Sequence, residues 1–147
     1  MRKVNRSALV RHSAAEMFSL VDDVESYPQF LPWCKSSVEH LREDNLVEAT
    51  LELQRADISK KFRTRNVASG TEAIDMALVD GPFRHLAGRW EFTQLGDAGS
   101  KVKLDLEFEF SNSMVDVLFG PFFEDTCNSL VDAFTRRADD VFGSGKQ

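Results

Sequence analysis

The sequence predicts an α+β fold in which one antiparallel sheet wraps around a long C-terminal helix. Two periodicities, met in a fixed order, predict it. In residues 101 to 110, Val102, Leu104, Leu106, Phe108 and Phe110 alternate with Lys101, Lys103, Asp105, Glu107 and Glu109, the pattern of a strand with one buried and one wet face. From Asn112 onward the apolar residues Val115, Leu118, Phe119, Phe122, Phe123, Cys127, Leu130, Phe134, Ala138 and Val141 recur at three and four instead. A helix with such a stripe must bury it, and the apolar face of the sheet is the partner on offer.

The elements follow in order. Val4 to Val10 reads as a short strand, and Ser13-Ala14-Ala15-Glu16 is a capping box that starts a helix whose buried stripe is Met17, Leu20, Val21 and Val24. Tyr27-Pro28 and Leu31-Pro32 then punctuate a bent segment. Val47, Ala49, Leu51 and Leu53 alternate with Glu48, Thr50 and Glu52, which makes a strand with a wet face. Three more strands, about 58 to 67, 71 to 79 and 84 to 93, are separated by Ser69-Gly70 and Asp80-Gly81-Pro82, turns short enough for a meander. Leu86, Gly88, Trp90 and Phe92 share one face, and a glycine there marks a bend or a close approach by a ligand or a helix. Gly120-Pro121 predicts a kink or break in the C-terminal helix, with a long helix from there to about Phe142. Together these make a helix-grip fold: a single domain over residues 1–147, with its ordered core about 3–142.

At 147 residues, 42% hydrophobic and 29% charged, the chain is a globular domain with room for one sizeable core. Twelve Phe and two Trp stand against one Tyr, so most of the aromatic surface asks for no hydrogen bond. Such residues suit either a solid core or a lined cavity. Cys34 and Cys127 lie far apart, without the spacing of a zinc or redox site, and read as buried reduced thiols. The N-terminus is basic but lacks an apolar signal region, and no stretch approaches the ~20 apolar residues of a spanning helix, so the expected location is cytoplasmic. Net charge is −6, yet Arg55, Lys60, Lys61, Arg63 and Arg65 form a basic run opposed in sequence only by Asp57. That run is either a solvated strand face or a surface for phosphate.

For catalysis the candidates are poor: His12 precedes a capping box, His40 lies in a charged strand region, and His85 is phased outward, none with a Ser, Cys or carboxylate partner at a recognisable spacing. No enzyme activity and no metal site are expected. A grip fold does leave space between sheet and helix. Phe62, Met76, Leu78, Trp90, Phe92, Leu106, Phe108, Phe119, Phe123, Leu130 and Phe134, with Ile74 and Leu104, are phased to line it. The apolar loop with Phe30, Leu31 and Trp33 serves as its entrance, where it would also touch a membrane, or as its plug. Lys60, Thr64 and Asn66 carry polar groups at inward positions, where they either meet a ligand or reach the strand edge. A ligand with a long apolar tail fits such a site, since each buried methylene contributes about 0.8 kcal/mol.

Several segments carry a family likeness: Val21-Asp22-Asp23-Val24-Glu25-Ser26-Tyr27-Pro28-Gln29-Phe30-Leu31-Pro32-Trp33-Cys34, Asp80-Gly81-Pro82-Phe83, Gly88-Arg89-Trp90-Glu91-Phe92 and Phe108-Glu109-Phe110-Ser111-Asn112. Across almost its whole length the chain resembles the START-like (Bet v 1-like) family of coenzyme Q-binding and RatA proteins, most specifically in Tyr27-Pro28-Gln29-Phe30-Leu31-Pro32-Trp33-Cys34. The resemblance implies a START-like cavity, no covalent cofactor, and a bound ubiquinone or other lipid that supports respiration at the inner membrane. Its bacterial members are described as toxins that block ribosomal subunit association. On that alternative the partner is the large ribosomal subunit, met through Lys61, Arg63 and Arg65. No DNA partner is expected.

Overall fold

The computed structural model describes residues 1–143. β1 (Arg2–Val10) leads into α1 (Ala14–Asp22), a 3-10 turn (Val24–Gln29), then β2 (Cys34–Glu43), β3 (Leu46–Arg55), β4 (Ile58–Ser69), β5 (Ala73–Asp80), β6 (Phe83–Leu95) and β7 (Gly99–Phe110). Two helices, α2 (Ser113–Asn128) and α3 (Leu130–Phe142), close the chain. The seven strands form one antiparallel sheet in the order β1-β7-β6-β5-β4-β3-β2, a meander with β1 laid against the last strand. This is the predicted helix-grip architecture. Val102, Leu104, Leu106, Phe108 and Phe110 are all buried, as their alternation requires. At α1 the Ser13 hydroxyl accepts from the Glu16 amide at 3.1 Å while the Glu16 carboxylate accepts from the Ser13 amide at 3.0 Å.

Two elements differ from expectation. β2 is a full ten-residue strand where the sequence marks only a charged strand region around His40, with Val38 and Leu41 as its apolar residues there. It is an edge strand with register shifts at Cys34/Ser36 and Glu39/Leu41, so neither face keeps a clean apolar period. The second difference is in the C-terminal helix. Pro121 sits inside α2, and the interruption falls at Ser129 instead. Proline withholds the N–H that would bond the Val117 carbonyl, but Val117 and Pro121 lie on the exposed side, where water reaches that carbonyl. Arg55 donates to the neighbouring Leu118 carbonyl at 3.0 Å and lays its guanidinium 5.4 Å from the Phe122 ring centre. At Ser129 the amide is shared between the carbonyls of Asp125 and Thr126, and the hydroxyl donates to the Thr126 carbonyl at 2.8 Å. That local bonding competes with a regular helical turn.

Gly120 has a separate use. Asp116, Gly120 and Glu124 are four residues apart on one face of α2, and Arg2 of β1 lies across all three. Its guanidinium meets Asp116 at 3.0 Å and Glu124 at 2.8 Å, and a Cβ at position 120 would stand 2.5 Å from Arg2 Nη2. The Asp116 bond, then the Glu124 bond, raise the Arg2 pKa further, and Arg2 holds Asp116 below the usual carboxylate range. Glycine inside a helix costs about 1 kcal/mol relative to alanine, so the clamp must offset that loss. Gly120→Ala should therefore leave urea-unfolding stability nearly unchanged in the natural protein. In an Arg2→Ala background the same change should stabilise by about 1 kcal/mol.

Candidate functional site

Between the sheet and the two C-terminal helices lies an apolar cavity of about 80 Å³. Ala49 and Leu51 of β3, Phe62, Thr64 and Asn66 of β4, Met76 of β5, Leu86 and Trp90 of β6, and Leu104 and Leu106 of β7 form its sheet wall. Phe123, Thr126, Cys127, Leu130 and Phe134 face them from α2 and α3, and Val24, Tyr27 and Trp33 close one end. Gly88 keeps this wall tight: a Cβ there would meet Leu106 Cδ1 at 2.7 Å and Met76 Cε at 2.9 Å. The close approach marked by that glycine is made by the side chains of the flanking strands, which themselves line the cavity.

The structure brings nine of the expected lining residues together around this space: Trp33, Phe62, Met76, Trp90, Leu104, Leu106, Phe123, Leu130 and Phe134. Seven expected residues lie elsewhere. Phe92 is stacked behind Trp90 and packs edge-on to Phe18 of α1 at 5.8 Å, so it fills the far end of the core. Phe108 is locked among Phe83, Phe110 and Phe123, and Phe119 is only 1% exposed, both in solid packing away from the cavity. Leu78 lies beyond Ala77, the last residue of β5 paired to β6, where the strands diverge. Leu31 is buried as a plug, and Phe30 packs on Tyr27 and Phe134. Arg137 of α3 caps Phe30 at 4.9 Å and donates to Gln29 at 2.8 Å, which ties this loop to the helix. Ile74 is core, and Lys60 stays half-buried at the strand end.

Among the lining residues that the expectation did not include, Ala49, Leu51 and Leu86 belong to inward faces already visible as alternation, and Cys127 to the helical stripe. Val24 stood in the stripe expected of the first helix, which ends short of it at Asp22, and Tyr27 had no such signal, because the 3-10 turn that carries both has no simple period. Thr126 also gave none.

Polar groups in the cavity are few. Thr64 and Thr126 are buried there, and Asn66 Oδ1 is sealed from solvent without a hydrogen-bond partner. The Tyr27 hydroxyl donates to the Val21 carbonyl, and burial pushes its pKa up. None of the described lining residues is Asp, Glu, His, Lys or Arg. The histidines are committed elsewhere, His12 to Asp139 at 2.7 Å, His40 to Thr50 at 2.7 Å and His85 to Glu107 at 3.1 Å.

The basic run changes character in three dimensions. Arg63 and Arg65 both converge on Glu48 of β3, at 2.8 and 2.6 Å, and Glu48 is buried beneath them on the face expected to be wet. The bonds from Arg65 and then Arg63 hold its carboxyl below the usual range. Lys61 stays exposed.

Both cysteines are free and buried. Burial pushes the Cys34 thiol up to about 11, and burial pushes the Cys127 thiol, inside the cavity, higher still. Thiolate is the reactive form. Iodoacetamide at neutral pH should leave both thiols unmodified in the folded protein and alkylate both in urea, as read by intact mass.

A curved antiparallel sheet closed over an apolar cavity by C-terminal helices defines a START-like domain. The chain matches the family described as polyketide cyclase/dehydrase and lipid transport over residues 10–135. A ribosome association toxin RatA of Vibrio cholerae is 47% identical over 143 residues, covering 97% of this chain and 99% of that protein. The mitochondrial coenzyme Q-binding protein COQ10 of Dictyostelium discoideum is 24% identical over 139 residues, 92% of this chain and 68% of that one. Among solved structures, the ZhuI aromatase/cyclase of a Streptomyces species superposes with a TM-score of 0.85 at 15% identity over 99% of each chain, a likeness of fold alone. The chain belongs to the polyketide cyclase/dehydrase and lipid transport family, in the group that holds RatA and the coenzyme Q-binding proteins. Among the described residues, no helix is long and apolar enough to cross a membrane.

Proposed function

We propose that this protein is a non-enzymatic ribosome-association factor of the RatA kind, acting in the cytoplasm on the large ribosomal subunit. The observation that carries this reading is the 47% identity to a RatA over nearly the full length of both chains. The absence of a charged group or histidine among the described cavity residues supports a role without acid–base chemistry. The phosphate-facing surface on this reading is Lys61 with Arg63 and Arg65, and Glu48 is its internal counter-charge. Removing that carboxylate frees two guanidinium groups for phosphate. Glu48→Gln should strengthen co-sedimentation with the large subunit and steepen its salt dependence, because each added phosphate contact releases counterions. Replacing Lys61, Arg63 and Arg65 together by Gln should reduce binding at least about 10-fold near 100 mM salt. Unchanged co-sedimentation in both variants would show that this face does not touch the ribosome.

A second reading rests on the cavity, and it is compatible with the first. An apolar ligand with a small polar head, such as an isoprenoid quinone, fits a site lined by hydrocarbon and by three neutral polar side chains. At about 80 Å³ the space is smaller than the roughly 300 Å³ at which small-molecule sites begin, so a ligand must widen it. Trp33, Leu51, Met76 and Leu130 are only partly buried, and Leu130 follows the helix interruption at Ser129. These are the groups able to yield. A short-tailed ubiquinone analogue should quench the fluorescence of Trp90 and Trp33 saturably, and Leu106→Glu should abolish the quenching in protein shown by circular dichroism to be folded. Linear, unsaturable quenching would rule out the site.

A further inference from the structure

On the outer face of β4, Lys61, Arg63 and Arg65 stand two residues apart, which spaces them by about 6.6 Å and makes a cationic row about 13 Å long. Glu48 of β3 accepts from Nε and Nη2 of Arg63 at 3.1 and 2.8 Å and from Nε and Nη2 of Arg65 at 2.8 and 2.6 Å. Among the described residues neither Nη1 has a partner, so each guanidinium is fixed along one edge and presents its remaining donors outward. Lys35 of β2 reaches Glu52 at 4.0 Å, and Lys61 lies opposite Glu52 in register. Lys35, Lys61, Arg63 and Arg65 thus stand over Glu48 and Glu52, an excess of two positive charges in a chain of net charge −6. At the border of this face Asp75 is held by Arg89 at 2.6 Å, and Asp80, in register with Arg63, lies at the end of β5.

What this face lacks decides what it can hold. Phe62 is the only Phe, Tyr or Trp in β2, β3 and β4, and it is buried against Phe83 and Phe123 on the other side of the sheet. The one imidazole of these strands, His40, is tied to the Thr50 hydroxyl at 2.7 Å. Splayed single-stranded bases bind chiefly by stacking on aromatic rings, and no such platform is offered here. A broad sheet face is also too wide for the deep, narrow major groove of an RNA helix. It suits the wide, shallow minor groove, which displays phosphates and ribose 2′-hydroxyls. We propose that the outer face of β2, β3 and β4 docks double-helical RNA through its backbone, with phosphates along Lys61, Arg63 and Arg65 and ribose hydroxyls over Thr50 and Glu52 of β3, one strand away at about 4.8 Å. This inference rests on the ribosome reading above and names the feature of the large subunit that the basic strand meets. Phosphate oxygens only accept and so take the free guanidinium donors, whereas a 2′-hydroxyl can donate to a carboxylate. Contacts of this kind are blind to base sequence.

The test is fluorescence anisotropy with the whole protein and a labelled RNA duplex of about 16 base pairs, the length a compact duplex-RNA domain spans. Its two separated strands, chosen not to fold, and the DNA duplex of the same sequence are the comparison probes. The natural protein should bind the RNA duplex about 10-fold more tightly than either single strand, and more tightly than the DNA duplex, whose minor groove is narrow and lacks the 2′-hydroxyls. A second RNA duplex of unrelated sequence should bind equally well. Log affinity against log salt should fall with a slope of about −3, one for each phosphate held by Lys61, Arg63 and Arg65, and Lys61→Gln should make it shallower by about one. Lys101→Gln, on β7 and away from this face, should change neither affinity nor slope; both lysines are exposed, so both variants should fold. Tighter binding to the single strands, equal binding to the DNA duplex, or an equal loss from Lys101→Gln would overturn the inference. Co-sedimentation with the large subunit by a protein that binds no RNA duplex would also overturn it while leaving the ribosome reading intact. If the protein does neither, that reading falls and this inference with it.

Discussion

Everything in this fold depends on how the C-terminal helices cover the apolar face of the sheet. A seven-stranded antiparallel sheet presents more inward surface than one helical segment can fill. Here α2 and α3 settle closely on β1 and β7, and Arg2 fixes the edge of that contact through Asp116 and Glu124. β3, β4 and β5 arch over the helices and meet them through side chains, as Phe62 meets Phe123 at 5.8 Å. Where those side chains are large aromatics the core is solid. Where they are Ala49, Thr64, Asn66 and Met76, a gap is left. The cavity is the consequence of closing a wide sheet with a narrow cover.

The aromatic residues divide between these two roles by position. Phe62, Phe83, Phe108, Phe110 and Phe123 pack mostly edge to face in one cluster at the β7 end, with ring centres 4.6 to 6.2 Å apart. Such contacts stabilise beyond simple burial and leave little room for rearrangement. At the opposite end Trp90, Phe134, Tyr27 and Phe30 make a second group, pinned by Arg137. The looser middle carries Met76, a side chain that adapts its shape, and the interruption at Ser129 adjoins it on the helix side. The parts of the molecule able to move are therefore those next to the cavity.

Sequence alone made most of the fold legible, because long alternating strands and a long amphipathic helix leave strong periodic signals. The extent of β2 escaped because an edge strand with two register shifts has no clean period, so that only a charged strand region around His40 was legible, and Ser129 escaped because its departure from helix is made by local hydrogen bonds rather than by a breaker such as Pro121. For the candidate site, phase predicted which faces point inward but not the depth along each strand. Phe92, Phe108 and Phe119 have the same inward phase as Trp90 and Phe123, yet they fill solid core because other rings already occupy the space beside them. Depth along a strand is a property of the neighbours across the sheet, and no single strand's sequence carries it.

The same limit applies to charge. Arg63 and Arg65 look like an unopposed basic run when only their own strand is read, with Asp57 as the sole nearby acid. The strand register sets Glu48 directly opposite Arg65, between the two guanidinium groups, and buries it there. The pairing lowers the charge this face presents without removing it, since two cations share one carboxylate and Lys61 stands exposed beside them, opposite Glu52. It also holds both guanidinium groups flat against the sheet in fixed positions. An approaching phosphate can then bind without first ordering two long side chains, an entropic saving of the kind that favours arginine over lysine at phosphate sites. Glu48 thus sets the geometry at short range while weakening the attraction at long range, and against a partner that brings many phosphates the long-range effect dominates.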